Sequence, residues 1–507
     1  MDKINRRQFC EKSLLTGFAL PFFPNFNTDW LSSDKNQFQY KTLHIKSSAS
    51  SKLPVPEGHR VAFGLDYFTL DTLSDGLLID AAEIPVNFKG KIYLRLQVAI
   101  DTREMDEVEV LLAQSRKKIG HLSIWYPTGL QIFETLLDCD PAQVAKEGIL
   151  IRRVNGKSVL YLLATAHNNG SHFLLVSKKS TIKPTWKEAL YSDRSLQPFC
   201  WLEGCRTDGL QELYTRKNDQ TAYQALQKHL DYYLTDDQNL IYVDLWARPR
   251  DNTFTNLETG NNFATIAKHR PTHPSVELYL DYCRKRFDSN LKIIPDQLTQ
   301  EGLYTLAYPL AVIGNIRNEP ELSEWALLEA EERIKYLVTE DSIYRMGHRI
   351  NGLEEINRNW SRGVVWFLLG LVRTIEELKK SHLKNDPRVV RLIEVYKNTA
   401  AIVLRYQQKD HSWKAFLHLQ ETFFETSATA GLAAALAHGH RLGWLPEFNQ
   451  SRLNNVYERL LKSMTPDGFL MNTTQHNAGS YQLMQMGEYR VISQYTLGFV
   501  GHIKAHL

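Results

Sequence analysis

Four separated stretches of the chain set carboxylates, arginines and aromatics directly against apolar runs. Gln300-Glu301 stands before "GLYTLAYPLAVIG", with Asp296 slightly earlier. Trp360-Ser361-Arg362 stands before "GVVWFLLGLV", and Glu425 before "TSATAGLAAALAHG". In "FCWLEGCRTDGLQELY" the polar insertions are Glu203, Arg206 and Asp208. Two carboxylates can divide general-acid and general-base work between them. An arginine forks onto a carboxylate through two parallel hydrogen bonds. Helix N-termini add roughly half a positive charge each and free N–H groups. Flanked by Trp360 and Trp366, such a rim suits an anionic, ring-shaped ligand, and a uronic-acid sugar fits that description. Glu301, Glu425 and Asp208 are the candidate catalytic carboxylates. Trp360, Arg362, Trp366, Arg206 and Tyr304 are the candidate substrate contacts. A carboxylate near a helix start also complements the helix dipole without any further role. What favours a site is the recurrence of one kind of rim in four segments.

The elements that must hold this rim are helices. From residue 184 to 507 the apolar period is helical, with helices expected at 274–286, 301–314, 320–337, 363–380, 386–407, 426–441, 450–463 and near 490–505. They alternate in character. "ELSEWALLEAEERIKYL" and "RVVRLIEVYKNTAAIVLRYQ" are amphipathic. "GVVWFLLGLV" and "TSATAGLAAALAHG" are apolar all round, which requires burial on every side. Alternating buried and surface helices imply a double-layered α/α barrel whose parallel inner helices bring their N-termini to one mouth. Gly363 and Gly370 would be points of close helix approach.

Upstream the pattern changes. Residues 58–183 hold short alternating runs such as "KIYLRLQVAI", "EVEVLLAQS", "HLSIWYP", "GILIRRV", "SVLYLLATA" and "HFLLVSK", punctuated by turn residues, which predicts a β-sandwich. Residues 28–57 are polar and read as a linker. Residues 1–27 begin basic and continue into the apolar run Leu14 to Phe23, too short to span a bilayer but suited to a signal peptide. Arg6-Arg7-Gln8-Phe9 resembles the twin-arginine export motif, which predicts a periplasmic or secreted protein. No later segment reaches transmembrane length, so no stable membrane insertion of the mature chain is expected. The net charge of +3 over 507 residues gives no signal for nucleic acid. Five cysteines lack metal-ligand spacing, so neither a metal nor another cofactor is expected, and Cys200 with Cys205 is the one pair near enough in sequence to bridge.

The helical region, about 186–507, resembles the unsaturated uronyl hydrolases of glycoside hydrolase families 105 and 88. The residues that carry this are Trp360-Ser361-Arg362-Gly363-Val364-Val365-Trp366, Glu425-Thr426-Ser427-Ala428-Thr429-Ala430, "HGHRLGWLP" and "DGFL" at 467–470. The resemblance implies an (α/α)6 barrel of six hairpins and removal of a terminal uronic acid from an acidic oligosaccharide or polysaccharide. It also implies a sugar-contacting histidine near Met346 or His348. The chain departs from the family at two places. Val364-Val365 stands where relatives keep Asn-Gly, and Glu301 stands where they carry the catalytic aspartate, with Pro309 displaced by one position. A saturated β-glucuronidase on the same barrel, as in glycoside hydrolase family 154, is a related expectation. A polysaccharide lyase using Tyr304 or His348, and a glycan-binding relative without catalysis, are the alternatives.

Overall fold

The computed structural model describes residues 38–507 except 47–51, 72–74, 165–169, 179–184, 288–292, 294, 296, 349–350, 354–356 and 476–481. The export motif at Arg6-Arg7 and the carboxylate Asp296 lie outside the described residues. The N-terminal part is β-rich. Its strands are β1 (Phe38–Thr42), β2 (His44–Ile45), β3 (Tyr67–Leu70), β4 (Leu77–Asp80), β5 (Gly90–Ile100), β6 (Met105–Leu112), β7 (Lys118–Trp125), β8 (Ile132–Leu136), β9 (Ile149–Arg153), β10 (Leu160–Leu163) and β11 (His172–Ser177). They form two antiparallel sheets, one ordered β1-β11-β5-β10-β3 with β8 also on β5, the other β2-β4-β9-β6-β7. Leu94, Leu96 and Val98 of the first sheet share one hydrophobic core with Val108, Val110 and Ile151 of the second. The period-2 alternation expected of half-buried strands is what supplies these inward residues.

All six strands expected from their alternation are present. The stretch 28–57 is not simply a linker, because it contributes β1, paired with β11, and β2, paired with β4. Its polar residues hid them: β1 reads "FQYKT" and buries no residue fully. Such an edge strand is held by the ladder rather than by its own burial.

From Trp186 onward the chain is helical. After α1 (Pro141–Glu147) in the β-rich part come α2 (Trp186–Tyr191), α3 (Trp201–Lys217), α4 (Gln220–Asp231), α5 (Asn262–His269), α6 (Ser275–Arg284), α7 (Tyr308–Arg317), α8 (Pro320–Leu337), α9 (Ser361–Leu378), α10 (Pro387–Arg405), α11 (Thr426–Arg441), α12 (Gln450–Leu461) and α13 (Thr496–His506). The helices at 320–337 and 426–441 have the expected bounds. From α3 to α13 the odd-numbered helices touch in sequence, α3 to α5, α7, α9, α11 and α13, and α13 returns to α3. The even-numbered helices α4 to α12 pack outside them. Burial follows: α9 is buried from Ser361 to Ile375 and α11 from Thr426 to Gly439. Three short strands, β12 (Gln297–Thr299), β13 (Met346–His348) and β14 (Gly352–Leu353), pair beside α8. No helix among the described residues is long and apolar enough to cross a membrane.

Closure of the ring depends on residues without side chains. A Cβ on Gly498 of α13 would lie 2.1 Å from the Cys205 carbonyl oxygen, and one on Gly209 of α3 would lie 2.2 Å from the Gly498 oxygen. A Cβ on Gly370 would lie 2.5 Å from the Tyr304 nitrogen. Backbone at such distances cannot yield as a side chain does. Gly498→Ala is expected to destabilise the protein by at least about 1–3 kcal/mol, measured by thermal or denaturant unfolding. Cys200 and Cys205 are buried and unbridged, so the disulfide that their spacing allowed is not formed.

The β-rich part docks on the helical part through a buried charge cluster. Arg95 donates to both Asp467 oxygens at 2.5 and 2.8 Å and to Glu134 at 2.5 Å. The Tyr40 hydroxyl donates to Asp467 at 2.9 Å. Asp467 of the "DGFL" run is thus a docking residue.

Candidate active site

One narrow cleft is lined by Trp201, Glu258, Glu301, Tyr304, Thr305, Arg345, Trp360, Arg362 and Trp366. They come from the starts of α3, α5 and α9, from the π-turn Leu303–Ala307 that leads into α7, and from the turn before β13. The N-terminal ends of four odd-numbered helices therefore share a mouth, as the alternating helix character predicts.

Glu301 is brought to the cleft. Its Oε1 faces Arg345 Nε at 3.3 Å, and its Oε2 is buried with no hydrogen-bond partner among the described residues. Tyr304 and Trp366 stack at 6.2 Å and 11°, and Trp201 meets Trp366 edge-on at 5.2 Å. The Arg345 and Arg362 guanidinium carbons lie 5.2 and 5.1 Å from the Trp360 ring centroid, a cation–π arrangement that fixes the ring between two charges. Arg362 donates Nη1 to the Thr474 carbonyl at 3.0 Å, and Nη2 to the Gln475 carbonyl and Gln485 Oε1, both at 3.1 Å. Among the described residues no carboxylate forms an ion pair with it. Its charge is held in place by neutral acceptors and left available to a ligand.

The sequence did not single out Glu258. It sits in a 3-10 turn, Leu257–Thr259, capped by Asn256, immediately before α5. The carboxyl is raised above the ordinary range by burial and then by the neighbouring Glu301 charge, against the lowering effect of Arg345 and Arg103. Gly260 lets this turn approach the Glu301 segment, since a Cβ there would lie 1.9 Å from the Thr305 oxygen. The signal for Glu258 was the same one that found Glu301, a carboxylate before an inner helix. It was missed because α5 is only eight residues long.

Four expected site residues stand elsewhere. Asp208 is 2% exposed and lies beneath the cleft floor, where it accepts from Tyr304 Oη at 2.6 Å and pairs with Arg373 at 2.7 Å. Burial would raise its carboxyl, but the Arg373 charge and His502 outweigh burial and hold it well below the carboxylate range. An anion so committed is a structural counter-ion. Arg206 is fully buried on another face of α3, donating to Ser195, to the Leu190 carbonyl and to Glu203 at 3.2 Å, with His229 alongside. It cannot reach a ligand in the cleft. Glu425 is the N-cap of α11: one oxygen accepts from Ala428 N, and both accept from Ser427 Oγ at 2.8 Å. Oε1 also accepts from Thr474 N at 2.9 Å. With its lone pairs filled by the protein, Glu425 supports Thr474, whose carbonyl holds Arg362. His348 lies on β13 opposite Gln297 and does not line the cleft; Arg345, three residues earlier, does.

The arrangement can bind an anionic ring between Arg345 and Arg362, against Trp360 and Trp366, with two carboxyls in unlike environments beside it. Comparison with known proteins agrees on the fold. Among curated proteins there is no match. A possible member of the GH105 family from Salmonella enterica serovar Paratyphi A shares 18% identity at a TM-score of 0.52, covering 61% of this chain and 82% of its own. A possible GH105 member from Klebsiella pneumoniae gives 16% identity and 0.51 over 61% and 82%. A family 105 glycoside hydrolase from C. acetobutylicum gives 19% and 0.50 over 62% and 94%. The family profile described as Glycosyl Hydrolase Family 88 matches residues 177–502, well over half of the chain. The chain belongs to Glycosyl Hydrolase Family 88, and its class is glycoside hydrolase.

Proposed function

We propose that the protein removes a terminal uronic acid, saturated or unsaturated, from oligosaccharides of an acidic polysaccharide, with Glu258 and Glu301 as the acid–base pair. The observation that carries this is the pairing of two unlike carboxyls with two arginines in one aromatic cleft. On a saturated uronide, Glu258, raised by burial and by the Glu301 charge, donates its proton to the glycosidic oxygen. Glu301, beside Arg345, takes a proton from the water that attacks the anomeric carbon. The alcohol leaves and the anomeric hydroxyl forms. On an unsaturated uronide the same carboxyl would protonate the vinyl-ether double bond, the water deprotonated by Glu301 would add to the oxygen-bearing carbon, and the hemiketal so formed would open and release the alcohol. The closed ring of odd-numbered helices inside the even-numbered ones supports an (α/α)6 barrel, and two sheets about one core support a β-sandwich. Export rests on the Arg6-Arg7-Gln8-Phe9 motif.

Two observations weigh against the lyase alternative. The Tyr304 hydroxyl donates to Asp208, and burial, then the Asp208 charge, pushes it well above the usual phenol range. It is a poor base. His348 is outside the cleft lining.

The test is incubation with aryl β-glucuronide, an unsaturated uronyl disaccharide and intact acidic polysaccharides. Aryl release identifies a saturated-uronide hydrolase, and loss of the double-bond absorbance identifies the unsaturated type. A gain of that absorbance from polysaccharide, or binding without turnover, would refute the proposal. Arg362→Lys, which keeps the charge but loses the planar fork, is expected to raise KM for the uronide about 10- to 100-fold, the scale of lost hydrogen bonds to a charged group. Steady-state kinetics against a matched neutral glycoside checks that the loss belongs to the carboxylate.

A further inference from the structure

The profile match begins at residue 177, so nearly all of the β-rich part lies outside it. Yet a loop of that part reaches the segment behind Arg362. The segment is Thr474-Gln475, whose two carbonyls accept both Arg362 Nη groups. Gln475 is fully buried, and its side-chain Nε2 donates to the Trp125 carbonyl at 2.8 Å and to Gln131 Oε1 at 3.1 Å. Gln131 Oε1 also accepts from Thr128 N at 3.1 Å. The Trp125 ring also stacks on Tyr489 at 4.3 Å.

The loop from Trp125 to Gln131 is held in an unusual shape. Tyr126 and Leu130 adopt φ of 47° and 65°, the left-handed region that residues with a Cβ avoid. Such conformations persist only where the surroundings over-determine them. Here they do: the Leu130 carbonyl accepts from Gln97 Nε2 at 2.8 Å and from Gln494 Nε2 at 2.6 Å, one from each part of the molecule. Gln97, Gln131 and Gln494 are at most 3% exposed. A docking surface that needed only area would be made more simply from apolar side chains, because buried amides must all be satisfied.

We propose that Gln131 is a positioning residue for Arg362: through Gln475 it fixes the carbonyls that aim the guanidinium into the cleft, so the β-rich part is a working part of the uronate site. This rests on the uronide reading above. A shift of about 1 Å in a substrate-holding group can cost up to about 10²-fold. Gln131→Leu is therefore expected to raise KM for aryl β-glucuronide about 10-fold or more, with kcat and the kinetics on a matched neutral aryl glycoside nearly unchanged. In an Arg362→Lys background the same substitution should have little further effect, since the group it positions has lost its fork. A role in docking alone predicts instead that the two effects multiply, agreeing with independence within about twofold.

The full-length protein is used throughout, with thermal unfolding as the check on folding. Should Gln131→Leu fail to fold, Gln131→Asn, which keeps the amide but shortens its reach, takes its place in the cycle. Independent effects, or equal losses on uronide and neutral substrate, would overturn the positioning role while leaving the functional reading intact. A wild-type protein inert toward every uronide would overturn both.

Discussion

Glu301→Gln is expected to lower kcat on the uronide substrate by about 10²–10⁴-fold, the range that a general acid–base group supplies, with a much smaller change in KM. Glutamine keeps the shape of the side chain and a donor–acceptor pair, but it cannot accept a proton from water. Oε1 is steadied by Arg345, while Oε2 is buried and has no hydrogen-bond partner among the described residues, which leaves it the oxygen free for that task. A second readout separates this role from simple disturbance of the cleft. The Glu301 charge raises Glu258, so neutralising it lets the Glu258 carboxyl fall back toward the ordinary range. If Glu258 works protonated, activity is lost as pH rises through its raised value. The alkaline limb of the residual kcat/KM profile should therefore move to lower pH in Glu301→Gln. Undiminished turnover, or an alkaline limb that stays in place, would take Glu301 out of the chemistry.

Much of this site was legible in the sequence, and the failures have definite physical causes. A carboxylate or arginine before an all-apolar helix does mark the rim of α7 and α9. Applied to α11 the rule misleads, since an N-cap carboxylate and a catalytic one occupy the same sequence position. Only the count of hydrogen bonds onto Glu425 tells them apart. In α3 the error could have been avoided. Residues two apart sit about 200° apart around a helix, so Arg206 and Asp208 cannot face the same way. Glu203 with Arg206, and Asp208 with Glu212, which both pair with Arg373, are the true same-face pairs. The first turns toward His229 of α4, the second toward Arg373 in the ring interior. Because α3 is buried nearly all round, its apolar pattern gave no face to choose between them. Arg345 was hidden differently, by lying in a turn whose approach to the cleft depends on long-range packing, and Glu258 by the shortness of the helix it precedes.

Arg373→Met should be the most destabilising of the substitutions considered, at about 3–5 kcal/mol, the scale for removing one partner of a buried ion pair. Arg373 sits seven residues after Trp366 on the same face of α9, about 10 Å deeper from the mouth. It pairs with both Asp208 and Glu212, and all three side chains are at most 4% exposed. Methionine fills most of the volume but leaves two buried carboxylates with their main counter-charge gone. The pH dependence identifies the cause. In the wild type the Asp208 carboxyl is held below its unfolded value, so its contribution is complete above about pH 4 and is lost only as pH falls below that. The nearby His506 is lowered by burial to about 3 from 6.5, so its share of stability begins to fall earlier, as pH drops through 6.5. Without Arg373 the Asp208 and Glu212 carboxyls rise, and protonation relieves them. The gap in unfolding free energy between wild type and variant should accordingly be widest near neutrality and narrow steadily toward pH 4. A gap that does not change with pH would mean that lost packing, and not an uncompensated charge, sets the cost.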